Sequence, residues 1–174
     1  NVVVTTTQLA DFTAAIGGED IELTSLLAPG GSAHHFEPSP GDLLRLGRAD
    51  VLVINGAGLD EFLDTSIEAS GFSGTIIDAS AGIDLDAARA ITAETLPDGD
   101  HADDRTSAGA HTETDGHGHG DLNPHLWTSP QFAQGMVRHI ATELASIDPE
   151  NKADYLQRSE TYKQKLVILD DWIS

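Results

Sequence analysis

A chain of 174 residues is long enough to fold as one domain around a sizeable hydrophobic core. Its 29 acidic and 9 basic residues give a formal net charge of −20, which repels nucleic-acid phosphates and anionic membrane surfaces and attracts cations. With no cysteine, disulfides, thiolate metal sites and cysteine nucleophiles are all excluded.

Val2 to Thr7 is short, β-branched and apolar, and predicts a buried strand. No run approaches the ~20 apolar residues of a membrane span. The opening also lacks a basic, apolar secretion segment, so such a segment is either missing or outside this sequence. Leu9, Phe12, Ala15 and Ile16 recur at helical spacing, and Gly17-Gly18 supplies a stop. Ile21 to Leu27 alternates as a second strand until Pro29-Gly30-Gly31 breaks it. Leu43, Leu44 and Leu46 predict a short helix after Pro40. Val51 to Ile54 is a third strand, closed by Asn55-Gly56. Leu59, Phe62, Leu63 and Ile67 mark another helix ending near Gly71, and Thr75 to Ile77 a fourth strand. Strands alternating with short helices predict βαβ units, hence an open α/β fold with about four parallel strands flanked by helices.

From about Ser80 to Asp121 the pattern dissolves into Asp, Gly, Thr, Ala and His, and 97–120 is expected to be mobile. Helical spacing returns after Pro130 with Phe132, Met136, Val137, Ile140 and Leu144 on one face. Asp148-Pro149-Glu150 is expected to open a last helix, with Asp148 as cap and Pro149 at the first helical position. Tyr155, Tyr162, Leu166 and Leu169 carry that helix to Trp172-Ile173-Ser174 without a stop signal, so the helix is expected to continue beyond. Leu166, Leu169 and Trp172 would then form an exposed apolar face able to drive dimerisation.

Ligands of open α/β sheets collect beyond the carboxyl ends of the strands. Two histidines occupy such positions: His34, in His34-His35-Phe36-Glu37-Pro38 after the second strand, and His125, in Asn123-Pro124-His125-Leu126-Trp127 after the fourth. Zinc takes imidazole nitrogen at ~2.0–2.1 Å, usually as one of four ligands, and stiff loops at Pro38 and Pro124 would reduce the entropy lost on binding. On spacing alone the alternative is that both are surface or capping histidines. His101, His111, His117 and His119, with Asp98, Asp100, Asp103, Asp104 and Asp115, form a tract that would bind divalent metal weakly in many geometries, or serve only as a solvated linker. His139 lies in an amphipathic helix and reads as structural. There is no His-Glu-x-x-His pair, no Gly-x-Ser-x-Gly elbow and no phosphate loop; Asn55-Gly56-Ala57-Gly58 reads as a turn.

These residues resemble the zinc- and manganese-type solute-binding proteins of ABC transporters, solute-binding family 9. The likeness runs through Val2-Val3-Val4-Thr5-Thr6, Ile16-Gly17-Gly18, Leu26-Leu27-Ala28-Pro29-Gly30, His34 to Pro40, Ala49 to Gly56, Leu59-Asp60, Asn123 to Trp127, and Asp148 to Asn151 with Tyr155. The resemblance implies two α/β lobes joined by a long helix, with metal between them held by two protein ligands from each lobe. On that pattern 1–147 is the amino-terminal lobe, about 80–121 is its long His/Asp-rich loop, 148–174 begins the linking helix, and the carboxyl-terminal lobe is not in this sequence. His34 matches the first ligand and His125 the second, while His35 falls at a variable position. Asn123 departs from the family's Asp, which puts a carboxylate role there in doubt, and Ser129-Pro130 differs mildly from Asp-Pro.

The function implied is extracytoplasmic capture of Zn2+, with Mn2+ as the alternative, and delivery to an ABC transporter permease, without catalysis. A His-rich insertion before the second ligand resembles that of zinc-selective members. Two other readings stand beside it. A surface adhesin role is described for some relatives, and a zinc-dependent hydrolase would need Glu37 or Asp121 as general base.

Overall fold

The computed structural model of the chain describes residues 1–31, 36–89 and 122–173. Four short strands, β1 (Val2–Val4), β2 (Leu23–Ser25), β3 (Val51–Ile54) and β4 (Thr75–Asp78), form one parallel sheet in the order β2-β1-β3-β4. Val4 pairs with Ser25 on one side and Val53 on the other, and Val53 in turn with Ile77. The second strand is shorter than the alternation of residues 21–27 suggests. Beyond its three ladder residues, Leu26 and Leu27 donate backbone N–H groups to Val4 and Thr5 as the chain turns away.

Both faces of the sheet are covered, as parallel strands require. Successive side chains point to opposite faces. Val2, Val4, Val51, Val53 and Ile77 therefore share one core with Leu9, Phe12 and Ile16 of α1 (Thr7–Gly17), Met136, Val137 and Ile140 of α4 (Pro130–Ile147), and Tyr155 of α5 (Lys152–Ile173). Val3 and Leu52 point the other way, into a smaller core with Leu46 of α2 (Pro40–Leu46) and with Leu63, just before α3 (Asp64–Ser70). Helix stops fall where sequence places them: Gly18 and Gly71 end α1 and α3 with φ of +57° and +68°.

Three expectations need correction. The ordered pattern does not stop at Ser80. A 3-10 turn covers Ala79–Gly82, and helical turns follow at 85–89, where Asp84 accepts the N–H groups of Asp86 and Ala87 and Ala88 is buried. Here the backbone of Gly82 lies against Gly135 of α4; a Cβ on Gly82 would come within 2.3 Å of the Gly135 carbonyl oxygen. Secondly, Asp148 does not open the last helix. Its N–H bonds to the Leu144 carbonyl and ends α4, and α5 begins at Lys152, with the Asn151 carbonyl accepting from Asp154 and Tyr155. The Asp148 carboxylate instead accepts from Asn151 Nδ2 at 2.9 Å and the Tyr155 hydroxyl at 2.7 Å. Thirdly, Leu166 is buried in the core, so the exposed apolar residues of α5 are Leu156, Val167, Ile168, Leu169, Trp172 and Ile173.

α5 is tied back to α1. The Arg158 Nη1 group donates to the Ile16 and Gly17 carbonyls and pairs with Asp20 at 2.7 Å, neutralising the negative end of α1. Phe12 and Tyr162 meet edge to face with ring centroids 5.7 Å apart, and the Tyr162 hydroxyl donates to Asp11. Among the described residues, no helix is long and apolar enough to cross a membrane.

Candidate metal centre

The carboxyl ends of β1, β3 and β4 converge on one edge, where Thr5 N–H donates to the Val53 carbonyl and Ser80 N–H to the Asn55 carbonyl. The turn after β3 is tight: Gly56, Ala57 and Gly58 all have positive φ, at 76°, 52° and 83°. Gly56 also packs so closely that a Cβ would lie 1.9 Å from Asp78 Oδ1. Its N–H donates to Asp60 Oδ2 at 2.8 Å. Asp60 is only 6% exposed. Burial pushes its carboxyl above the ordinary carboxylate value, a rise opposed by the Thr5 hydroxyl and the Gly56 and Asn55 N–H groups.

Asn55, fully buried at the end of β3, carries the connection to the predicted site. Its Nδ2 donates to its neighbour's carbonyl at Gly56 and, 69 residues along the chain, to the Pro124 carbonyl, each at 3.0 Å. That second bond seats the peptide preceding His125 on the sheet edge. His125 then enters a 3-10 turn, Leu126–Thr128, whose end is closed by the Thr128 N–H and hydroxyl, both donating to the His125 carbonyl. Leu126 is buried, and Trp127 packs partly against the main core while meeting the His125 ring edge to face at 5.1 Å. The half-buried imidazole is thus held by its neighbours in sequence and by β3.

Asn123 adds a third restraint. Its Oδ1 lies 3.0 Å from the His125 backbone nitrogen and 2.7 Å from the ring Nδ1. A backbone N–H only donates, so the atom facing it is the amide oxygen, and ring Nδ1 carries the hydrogen that completes the second bond. In the neutral ring the lone pair then resides on Nε2, the nitrogen opposite Asn123.

The other predicted ligands fall elsewhere. His34 and the neighbouring His35 lie outside the described residues, as do His101, His111, His117, His119 and Asp121. Downstream of His34, Phe36 packs against the smaller core, Glu37 is exposed, and Ser39 caps α2. Ser39 Oγ accepts from the Asp42 N–H, and Asp42 Oδ2 accepts from the Ser39 N–H at 2.9 Å and hydroxyl at 2.6 Å. Burial works against the charge on Asp42, but Ser39 and Arg45 outweigh it and hold the carboxyl below its ordinary value. His139 is half-buried on α4 with its Cβ beside Gly82, in keeping with a structural role. Among the described residues no three His, Asp, Glu or Cys side chains form a metal-holding group. Asn55 and Asp60 were not singled out as site residues by sequence, and Asn123 only as a departure from the family's Asp. The signal for Asn55 is a polar amide directly after a fully apolar strand, where burial demands a partner.

A family model described as zinc-uptake complex component A, periplasmic, matches residues 2–174. A putative metal-binding protein of Treponema pallidum (strain Nichols) is 30% identical over 97% of this chain and 49% of its own length. The high-affinity zinc uptake system protein ZnuA of Bacillus subtilis (strain 168) is 28% identical over 98% of the chain and 49% of its length. The manganese-binding lipoprotein MntA of Halalkalibacterium halodurans is also 28% identical, over 99% of the chain and 48% of its length. The chain therefore spans about half the length of these relatives. Among solved structures, the periplasmic zinc-binding protein TroA of Treponema pallidum superposes with a TM-score of 0.75 at 23% identity, over 99% of this chain and 53% of that one, a likeness of fold. The relatives' names are those of metal-binding and uptake proteins rather than hydrolases, and the four-stranded parallel sheet ending in a long helix matches the fold of the solved zinc-binding neighbour.

Proposed function

The chain belongs to the zinc-uptake complex component A family, and we propose on that footing that it forms one lobe of an extracytoplasmic receptor that delivers a divalent metal to an ABC importer. The single observation that carries this reading is the His125 arrangement: an imidazole at the carboxyl edge of the sheet, fixed by Asn123, Trp127 and, through Pro124, Asn55. In this reading His125 Nε2 and the His34 imidazole supply half of a four-coordinate site, with the remaining ligands outside this sequence. Binding is ligation alone, so the receptor must hold the ion tightly enough to capture it and must open to release it to the permease.

Zinc is the favoured cargo. Imidazole suits zinc, whereas manganese prefers added carboxylate, and a His-rich tract precedes His125. Manganese is the second reading, since a relative of similar identity is named manganese-binding. His101, His111, His117 and His119 would collect the ion loosely and pass it to the main site. In isolation, the exposed Leu169 and Trp172 would pair two copies of the chain.

Calorimetric titration of the full-length protein with Zn2+ and with Mn2+, beside His34→Ala and His125→Ala, tests the reading. Both substitutions should abolish the tight site, and deletion of 97–120 should leave it intact. Undiminished tight binding in either histidine variant would overturn the ligand assignment.

A further inference from the structure

The contact between Asn123 and His125 is a two-point bond, and its chemistry goes beyond holding a loop. One oxygen accepts from the backbone N–H and from ring Nδ1 of the same residue, at 3.0 and 2.7 Å. The backbone bond fixes which end of the amide faces the ring. Because that end is the oxygen, it can only accept, and ring Nδ1 must donate. We propose that Asn123 is a positioning residue that selects the Nδ1–H tautomer of His125 and so turns the Nε2 lone pair toward the cation. The proposal rests on the reading of His125 as a metal ligand.

Metal-bound histidines generally donate their other ring N–H to an oxygen, and loss of that partner weakens metal binding by roughly 10- to 100-fold. Usually a carboxylate or a backbone carbonyl fills this role. Here an amide supplies the same oxygen without the charge. Asn123 is exposed, so its side chain has little part in the core. The ring is steadied independently by Trp127, and the loop by the Asn55 bond to Pro124. Removing the Asn123 amide should therefore release the tautomer while leaving the loop in place. The turn from Leu126 to Thr128 is likewise closed by Thr128, not by Asn123.

The test compares the full-length protein with Asn123→Ala and Asn123→Asp. Long-range nitrogen–proton correlation spectra of the metal-free protein, taken above the ordinary histidine range of about 6.5, report which ring nitrogen of His125 carries the proton. The wild type should show Nδ1–H. Asn123→Ala should shift toward a mixture of the two tautomers, and Asn123→Asp, which keeps an accepting oxygen, should restore Nδ1–H. In competition titrations with Zn2+, Asn123→Ala should bind roughly 10- to 100-fold more weakly, and Asn123→Asp should recover most of that loss. An Nε2–H tautomer in the wild type, or an unchanged tautomer in Asn123→Ala, overturns the role of Asn123 even where His125→Ala abolishes zinc binding. Tight zinc binding retained in His125→Ala overturns the ligand reading itself, whatever the spectra show.

Discussion

Replacing Asn55 by Asp exchanges one NH2 group for an oxygen at a fully buried position. The amide nitrogen it removes donates to two carbonyls, Gly56 and Pro124, each at 3.0 Å. An ionised carboxylate would set an oxygen against both, in a site with no solvent to relieve it, so the folded protein should keep the new carboxyl protonated. A protonated acid has one hydrogen to give, so one of the two carbonyls loses its partner, at about 1–3 kcal/mol. The proton itself adds a pH-dependent cost. The unfolded carboxyl ionises near 3.9, so holding it neutral costs about 1.4 kcal/mol for each pH unit above that value. The destabilisation should thus be about 2.5–4.5 kcal/mol at pH 5 and grow by up to about 3 kcal/mol at pH 7, against a total stability of order 5–15 kcal/mol. Urea unfolding of both proteins at the two pH values measures this. Asn55→Ala is the control: it deletes both bonds without a titratable group, so its effect should not change with pH. An Asp variant whose destabilisation is below about 1 kcal/mol, or as large at pH 5 as at pH 7, would show that the amide does not hold these two carbonyls.

Gly56→Ala should be strongly destabilising, by at least about 1–2 kcal/mol from the positive φ alone, because its φ is +76° and the new Cβ meets Asp78 Oδ1. A melting temperature within a degree of wild type would refute that. Asp60→Asn tests a raised carboxyl. The folded state binds a proton at pH values where the unfolded state has lost it, so this group's contribution falls as pH rises through the window above 3.8. Unfolding midpoints of the variant should gain on wild type across that window and match or exceed it at pH 7; a widening deficit would contradict the sign. Asp42→Asn tests the opposite case, since the folded-state carboxyl is lowered and its stabilisation is present above 3.8 and lost as pH falls through the lowered value. The variant should lose about 0.5–2 kcal/mol at pH 7 and approach wild type in acid, as followed by circular dichroism during acid unfolding.

Much of the fold was legible because its signals are local. Val51 to Ile54 is an unbroken apolar run between turn residues, and it forms β3 with those bounds. Gly18 and Gly71 stop helices by their own backbone freedom. The misread boundaries depended on partners instead. β2 is only as long as the ladder β1 offers it. Asp148 looks like an opening cap, yet its N–H is already taken by Leu144 and its carboxylate by Asn151 and Tyr155. The helical turns at 85–89 bury a single small residue, Ala88, which leaves almost no apolar period to detect.

The same division runs through the site. A histidine between Pro124 and Trp127 is visible in sequence, but what fixes it is not, because Asn55 lies 69 residues from the carbonyl it anchors. This anchoring also bears on how half a site can contribute to tight binding. In the proposed site, two imidazoles would leave two of four zinc positions to other groups, so this chain would gain little from coordination if its ligands had also to be ordered when the ion arrives. As the proposed ligand, His125 would avoid that cost: its backbone is tied to β3, its ring rests against Trp127, and its Nδ1 is engaged by Asn123. Ordering is thus supplied by the folding of the sheet edge. It follows that substitutions at Asn55 should weaken metal binding and stability together, whereas those at exposed Asn123 should weaken binding with little change in stability.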